Sequence, residues 1–420
     1  MSDQTPAGVH RTDASNGLTV LSEYMPGRRT VAFGVWVRYG TLHERREQMG
    51  LAHLLEHMVF KGTTSRTARD LAFSLESLGG SLDAYTEREF TSYQARVLDR
   101  HLETAVDVVG DLVFHPKLAE ADLALERQVI LEEIGMVEDT PDDLIFDLHN
   151  EALWGEHPHA WRILGTRETV SSLDAEALRT LWRAQYQPAR LVVAAAGNVT
   201  HDQLLDVLAR AGWLDAAGGT AEAPAVPVAT PTMGARVHHA RKDISQVHVV
   251  LGGAATSVTD PRRHAFGLLG TLVGGGMSSR LFQRVREELG YAYSVYHFHS
   301  PFADTGSHGI YLASAPETAQ QALDAAREIL RDVAANGLPE AELEAGKQQL
   351  AGQLVMSLES VSARMYRAAT SALYHEPVRS IDELLEEVAA VSVAQVADVA
   401  RTFFDPDRAT LVSLGPRAVR

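Results

Sequence analysis

Two histidines and a glutamate within five residues, His53-Leu54-Leu55-Glu56-His57, carry the densest chemistry in this sequence. If the stretch is helical, His53 and His57 lie one above the other on one face, where both imidazoles reach a single metal ion. Glu56 leaves the helix near the same edge, placed to take a proton from a water molecule polarised by that ion. A second concentration is Glu126-Arg-Gln-Val-Ile-Leu-Glu-Glu133, three carboxylates on one expected helix. Glu126 and Glu133 are two turns apart and share a face, with Glu132 about 100° away. A catalytic metal site takes three protein ligands and leaves one position for water, so this face offers a third ligand and a supporting carboxylate. In isolation the acidic helix reads as solvated surface; beside the histidine pair it reads as ligands.

Composition bounds the chemistry. There is no cysteine among the 420 residues, so a transition metal must be held by His, Asp or Glu. A 45% hydrophobic, 22% charged chain is that of a soluble globular protein. The net charge of −17 opposes nucleic-acid partners and anionic membranes. It reads as a solubility device, or as an acidic lining that attracts basic substrates. No apolar run approaches the roughly 20 residues of a membrane span. The start, MSDQTPAGVHRTDASNG, has neither the basic nor the apolar region of a secretory signal, and a cytoplasmic protein is expected.

The elements that position these residues come in two related sets. An Ala/Gly/Pro-rich stretch at 215–233 reads as a linker between an N-terminal domain, 1–214, and a C-terminal domain, 234–420. In the first half a strand at 31–37, a charged loop at 43–47 and the histidine helix follow one another. In the second, a strand at 247–251, a loop at 259–263 and a helix from His264 repeat the order, and Leu118-Ala-Glu-Ala-Asp-Leu returns as Leu338-Pro-Glu-Ala-Glu-Leu. Sliding the halves by about 217 positions sets Gly270, Val273 and Gly274 against His53, Glu56 and His57. A slide of about 220 sets Gly346 and Gln353 against Glu126 and Glu133. Residues kept in one copy alone serve chemistry rather than folding. Further strands are expected at 82–97, as a pair or a single long strand, and at 191–196, 309–313 and 409–412. Helices are expected near 102–114, 118–137, 141–154, 317–335 and 339–359. Strands and helices do not alternate regularly, so the expected class is α+β: two homologous domains, each a largely antiparallel sheet covered by helices.

Several other motifs are weaker. Gly274-Gly275-Gly276 lacks the G-K-[ST] of a phosphate loop and reads as a tight turn or a contact with substrate. His297 and His299 share one strand face; a second metal site is the sharper reading and ordinary strand histidines the plainer one. His157 and His159 flank Pro158 in a loop, and His238-His239 carries no assigned role.

Taken together, GLAHLLEHMVFKGT (50–63), GGSLDAYTEREFTSY (79–93), ERQVILEEI (126–134) and GGGMSSRLFQRVREELGYAYSV (274–295) resemble the pitrilysin/insulysin family of zinc metallopeptidases, above all its shorter, processing-peptidase-like members. The likeness spans essentially the whole chain. It implies one Zn²⁺ per chain held by His53, His57 and a glutamate about 76 residues on, which is Glu133, with Glu56 as general base and Glu126 in support. It implies that Arg284 and Tyr291, in the pattern R-x-x-x-x-L-G-Y, orient substrate and stabilise a developing oxyanion. It implies an edge strand, Asp83, Ala84, Tyr85 and Thr86, that binds an extended peptide through its main chain. Relatives often carry Asn where this chain has Asp83, which keeps an acceptor and loses an amide donor; Ala84 and Thr86 would offer mainly backbone groups. A zinc endopeptidase for peptides or unfolded segments is expected, its chamber closed by a homodimer or by pairing with a related chain, with the site formed where the two halves meet. The alternative is a catalytically silent structural or regulatory subunit.

Overall fold

The computed structural model describes residues 8–219, 224, 226–229, 231 and 236–420. Of the linker expected at 215–233, residues 220–223, 225, 230 and 232–233 lie outside that set. In chain order the first stretch runs β1 (Val9–Asp13), β2 (Thr19–Tyr24), β3 (Thr30–Val37), α1 (Leu51–Val59), α2 (Ala68–Glu76), β4 (Ser81–Thr86), β5 (Thr91–Leu98), α3 (Leu102–Phe114) and α4 (Glu120–Asp139). Then come α5 (Pro141–Trp154), α6 (Arg167–Ser172), α7 (Ala175–Gln185), β6 (Leu191–Gly197) and α8 (His201–Arg210). The remainder is β7 (Arg236–Arg241), β8 (Val247–Ala254), α9 (Arg263–Gly274), β9 (Ala292–Pro301), β10 (Gly306–Ser314), α10 (Ala319–Asn336), α11 (Glu340–Ser357), α12 (Val361–Leu373), α13 (Ile381–Ala389), α14 (Val393–Phe403) and β11 (Thr410–Gly415).

Two mixed sheets result, each mostly antiparallel, in the order β1-β2-β6-β3-β5-β4 and β7-β11-β8-β10-β9. Apart from the extra β1 they have one topology: β2 is parallel to β6 as β7 is to β11, and the remaining neighbours are antiparallel in both. The duplication expected from sequence is therefore a duplication of sheet order. Gly197 and Gly415 anchor the comparison: each ends its strand at positive φ, and a Cβ would lie 2.2 Å from the Thr30 carbonyl or 2.7 Å from the Gln246 carbonyl. From there the ladders equate Val31 with Val247, an offset of 216, and Thr86 with His299, an offset of 213. No single slide such as 217 aligns both copies, because the hairpin arms differ in length.

The chain packs as two compact units. Unit 1 is drawn from Met1–Gly135, Trp161–Val226 and Met356–Val378; unit 2 from Met136–Ala160, Pro227–Val355 and Arg379–Arg420. These units and the two halves read from sequence are different partitions, because each unit takes its outer helix from the other half. In unit 1, Val31, Phe33 and Val35 point to a core shared with α1, α3 and α7. The other sheet face, with Leu21, Trp36 and Ala194, is covered by Met365, Ala368 and Ala372 of α12. That helix is also held by charge: buried Glu23 pairs with Arg364 at 2.6 Å and Arg367 at 3.2 Å. Unit 2 mirrors this, with α9, α10 and α14 over one face and Ile145 of α5 against Val250, Tyr311 and Val412 on the other. Strands covered on both faces read as continuous apolar runs, as TVAFGVWV does in β3.

Candidate functional site

The histidine helix is set by its buried face. Leu51, Ala52, Leu54, Leu55, Met58 and Val59 enter the unit 1 core, which leaves His53, Glu56 and His57 along one edge. Its N-terminus is tied down by Glu44, a buried residue whose carboxylate accepts from the Gly50 N–H at 2.9 Å and the Ala52 N–H at 2.7 Å. That is a favourable place for an anion, at the positive end of a helix. Burial still pushes the Glu44 carboxyl up to about 8, against the pull of those N–H groups.

Opposite lies α4, anchored through Leu123, Ile130 and Ile134. Its Glu126 and Glu133 meet the imidazoles in a ladder. Glu133 Oε2 stands 3.7 Å from His57 Nε2 and 3.9 Å from His53 Nε2. Glu126 Oε2 accepts from His57 Nδ1–H at 3.2 Å, while its Oε1 lies 2.5 Å from Lys61 Nζ. With Nδ1 donating, His57 presents the lone pair of Nε2 to the open space. One donor atom each from His53, His57 and Glu133 lie within 4.8 Å of one another, the one such group among the described residues. Ligands about 2.0–2.1 Å from a tetrahedral ion sit roughly 3.3 Å apart, so both imidazoles stand about half an ångström too far from Glu133 and the donor set as a whole must draw in to grip a small divalent ion. Burial, with His57 beside it, pushes the His53 imidazole down to about 3, which keeps its lone pair free. Its Nδ1 is buried with no hydrogen-bond partner, and the ring packs edge-on against His57 at 4.6 Å between centroids.

Glu56 faces the hairpin of β4 and β5. Thr86 Oγ1 donates to Glu56 Oε2 at 2.6 Å, leaving Oε1 for another partner. Burial raises the Glu56 carboxyl above its ordinary range, and the Thr86 bond works against that rise. Thr86 was expected to offer mainly backbone groups; its side chain instead orients the candidate base. β4 pairs with β5 alone and is the free edge of its sheet. Tyr85 turns away from α1, edge-on to Phe90, and Asp83 is exposed beside Ser81, Gln94 and Arg96. Ala84 packs at the border of the unit 1 core.

Arg284 and Tyr291 belong to unit 2. Arg284 lies on a π-helical segment, Phe282–Glu288, and donates to Glu288 at 2.7 Å. Tyr291 packs half-buried on the unit 2 core, its carbonyl accepting from Ser314 Oγ. Gly274 is required by close packing, since a Cβ would lie 2.5 Å from the His297 nitrogen. His297 and His299 do share a face, both against Phe266. His308 Nε2–H donates to the Phe403 carbonyl at 2.9 Å, so its Nδ1 accepts from His297 Nε2–H at 3.3 Å. His299 donates to the Thr256 carbonyl and His157 to that of Pro227. These are packed histidines bonded to one another and to main-chain carbonyls.

Sequence comparison then places the chain. A family model described as insulinase, peptidase family M16, matches residues 19–167, and one described as the peptidase M16 inactive domain matches 172–350. The chain is 37% identical over 401 residues to an uncharacterized zinc protease of Bacillus subtilis, covering 96% of this chain and 97% of that protein. It is 39% identical over 414 residues to another from Streptomyces coelicolor, covering 97% and 90%. It belongs to the M16, pitrilysin-like peptidase family. A solved protease from Helicobacter pylori shares the fold at TM-score 0.92 and 20% identity, covering 98% of this chain and all (100%) of that one. A solved M16 inactive domain from Pseudomonas fluorescens does so at TM-score 0.90 and 21% identity, covering 98% of each chain. The first family match contains α1 and α4, hence the whole donor ladder; the second contains Arg284 and Tyr291. Among the described residues no helix is long and apolar enough to cross a membrane.

Sequence reasoning missed Glu44, Lys61 and the Thr86 hydroxyl. Lys61 carried a readable signal, since it falls four residues beyond His57 as His57 falls four beyond His53. Glu44 and Thr86 carried none, because their partners are fixed by tertiary packing.

Proposed function

We propose that this chain is a zinc-dependent endopeptidase that hydrolyses peptides or unfolded polypeptide segments. The convergence of His53, His57 and Glu133 donor atoms within 4.8 Å, beside a buried carboxylate, carries the reading. Zinc bound there supplies Lewis acidity toward the scissile carbonyl and acidifies water. Glu56, held by Thr86 through Oε2, takes the water's proton on Oε1 and returns it to the leaving amide nitrogen. Its raised pKa suits both halves of that task. The free edge of β4 supplies main-chain donors and acceptors to an extended substrate, with Asp83, Ala84, Tyr85 and Thr86 contributing backbone groups. Arg284 and Tyr291, on the strength of their sequence pattern, orient the substrate and stabilise the oxyanion. Pairing as a homodimer, or with a related chain, completes the proposal, and native mass measurement decides between them.

The decisive experiment compares wild type with Glu56→Gln for zinc content and for cleavage of a quenched, unstructured peptide. Zinc-bound but inert E56Q is expected. Undiminished cleavage by E56Q overturns the mechanism, and a zinc-free, inert wild type overturns the enzyme reading in favour of a silent subunit.

A further inference from the structure

Along α1 and the turn that follows it, His53, His57 and Lys61 stand at four-residue steps; along α4, Glu126 and Glu133 stand seven apart. The two rows run antiparallel and interlock: His53 and His57 meet Glu133, His57 and Lys61 meet Glu126. Glu126 is only 5% exposed. A carboxylate that deep is costly unless its oxygens are matched, and here each has one partner, His57 at Oε2 and Lys61 at Oε1. Among the described residues Lys61 is the one Lys or Arg side chain paired with Glu126, 2.5 Å from Oε1, while His57 meets Oε2 through Nδ1.

We propose that Lys61 is a positioning residue for the metal centre. Its ammonium holds the Glu126 carboxylate turned toward His57 Nδ1, and so fixes the ring whose Nε2 serves as ligand. Removing the ammonium while keeping an apolar stem leaves Glu126 free to turn away, and His57 then loses the bond that sets its tautomer and orientation. The inference rests on His53, His57 and Glu133 being zinc ligands. It adds a residue that touches neither metal nor substrate.

The test measures zinc dissociation constants by chelator competition, and apoprotein unfolding temperature, for wild type, Lys61→Met, Lys61→Arg, Glu126→Gln and the double variant K61M/E126Q. Lys61→Met is expected to weaken zinc binding about tenfold, the lower end for loss of an outer partner of a metal ligand. Lys61→Arg is expected to stay within about threefold of wild type, because the charge is retained. The double variant is expected to bind zinc no more weakly than E126Q, because Lys61 acts through Glu126. Zinc affinity unchanged in K61M, even with a lowered unfolding temperature, overturns the role, as does multiplication of the two single effects in the double variant. Should K61M fail to fold, Lys61→Gln supplies the same comparison. A wild type that takes up no zinc overturns the reading of the site itself, and is thereby told apart from failure of the Lys61 role alone.

Discussion

The two units build one sheet order and then fill the space beside it in opposite ways. In unit 1 the helices α1 and α4 carry the polar groups and the facing strand β4 is small there, with Ala84 and Thr86. In unit 2 the corresponding helices α9 and α11 carry Gly270, Val273, Gly274, Gly346 and Gln353 in place of the histidines and glutamates, and the strand carries the imidazoles: by register His297 stands where β4 has Ala84, and His299 where it has Thr86. A Cβ at Gly270 would lie 2.6 Å from the His297 ring, and one at Gly346 would lie 2.7 Å from Leu272. The sheet order is shared; the chemistry is not. Imidazoles on one helix face, opposed by carboxylates on another, converge on a point. Imidazoles on a strand, opposed by Phe266, Phe404 and each other, become packing.

That contrast breaks if the chemistry does not follow the helices. Glu56→Gln gives the largest expected effect, a fall in kcat of about 100- to 10,000-fold with zinc content unchanged, read by peptide cleavage and metal analysis. Next, Glu133→Ala should empty the site, dropping zinc from about one per chain toward none, whereas His297→Ala in unit 2 should leave it unchanged. Zinc lost from H297A, or kept by E133A, would put the metal elsewhere. Gly274→Ala tests the filled copy, where the added methyl meets the backbone and side chain of His297. It should destabilise the protein by about 1–3 kcal/mol in denaturant unfolding, with zinc affinity unaltered.

The smallest effect at neutral pH grows on acidification. Burial holds His308 down to about 3 and His149 to about 4, from an ordinary 6.5. Below pH 6.5 the unfolded chain therefore takes up protons that the fold refuses. The stability they contribute is fully present above 6.5 and is lost as pH falls toward 4 and then 3. Unfolding temperature followed from pH 7 to 4 should decline; a flat profile would show these histidines to be accessible to solvent in the fold.

The candidate ligand faces were legible because helical period pairs 53 with 57 and 126 with 133 whatever the rest of the chain does; the choice of Glu133 over Glu126 as ligand came from the family resemblance. Helices at 102–114 and 141–154 were legible in the same way, from apolar spacing and their stops. The hairpin of β4 and β5 read as a paired or single strand because its turn, Glu87 to Phe90, lacks a two-residue glycine signal. Glu44 read as one charge in a charged loop, since its burial exists only when α1's N-terminal N–H groups need an acceptor. Thr86 meets Glu56 across 30 residues. The outer helix α12 gave no local sign that its partner sheet is made of β2, β3 and β6, at the other end of the chain.

That exchange of outer helices governs how the protein is born. By the time β6 leaves the ribosome, the first sheet has all its strands, yet the helix that covers Leu21, Trp36 and Ala194 begins only at Val361. At a translation rate of about 5–20 residues per second, an apolar sheet face waits on the order of ten seconds or more for its cover. Any transcript that stops short of α12 leaves that face open for good. Both helices of the candidate site are synthesised early, but the sheet they stand on is covered by a segment made late in the chain.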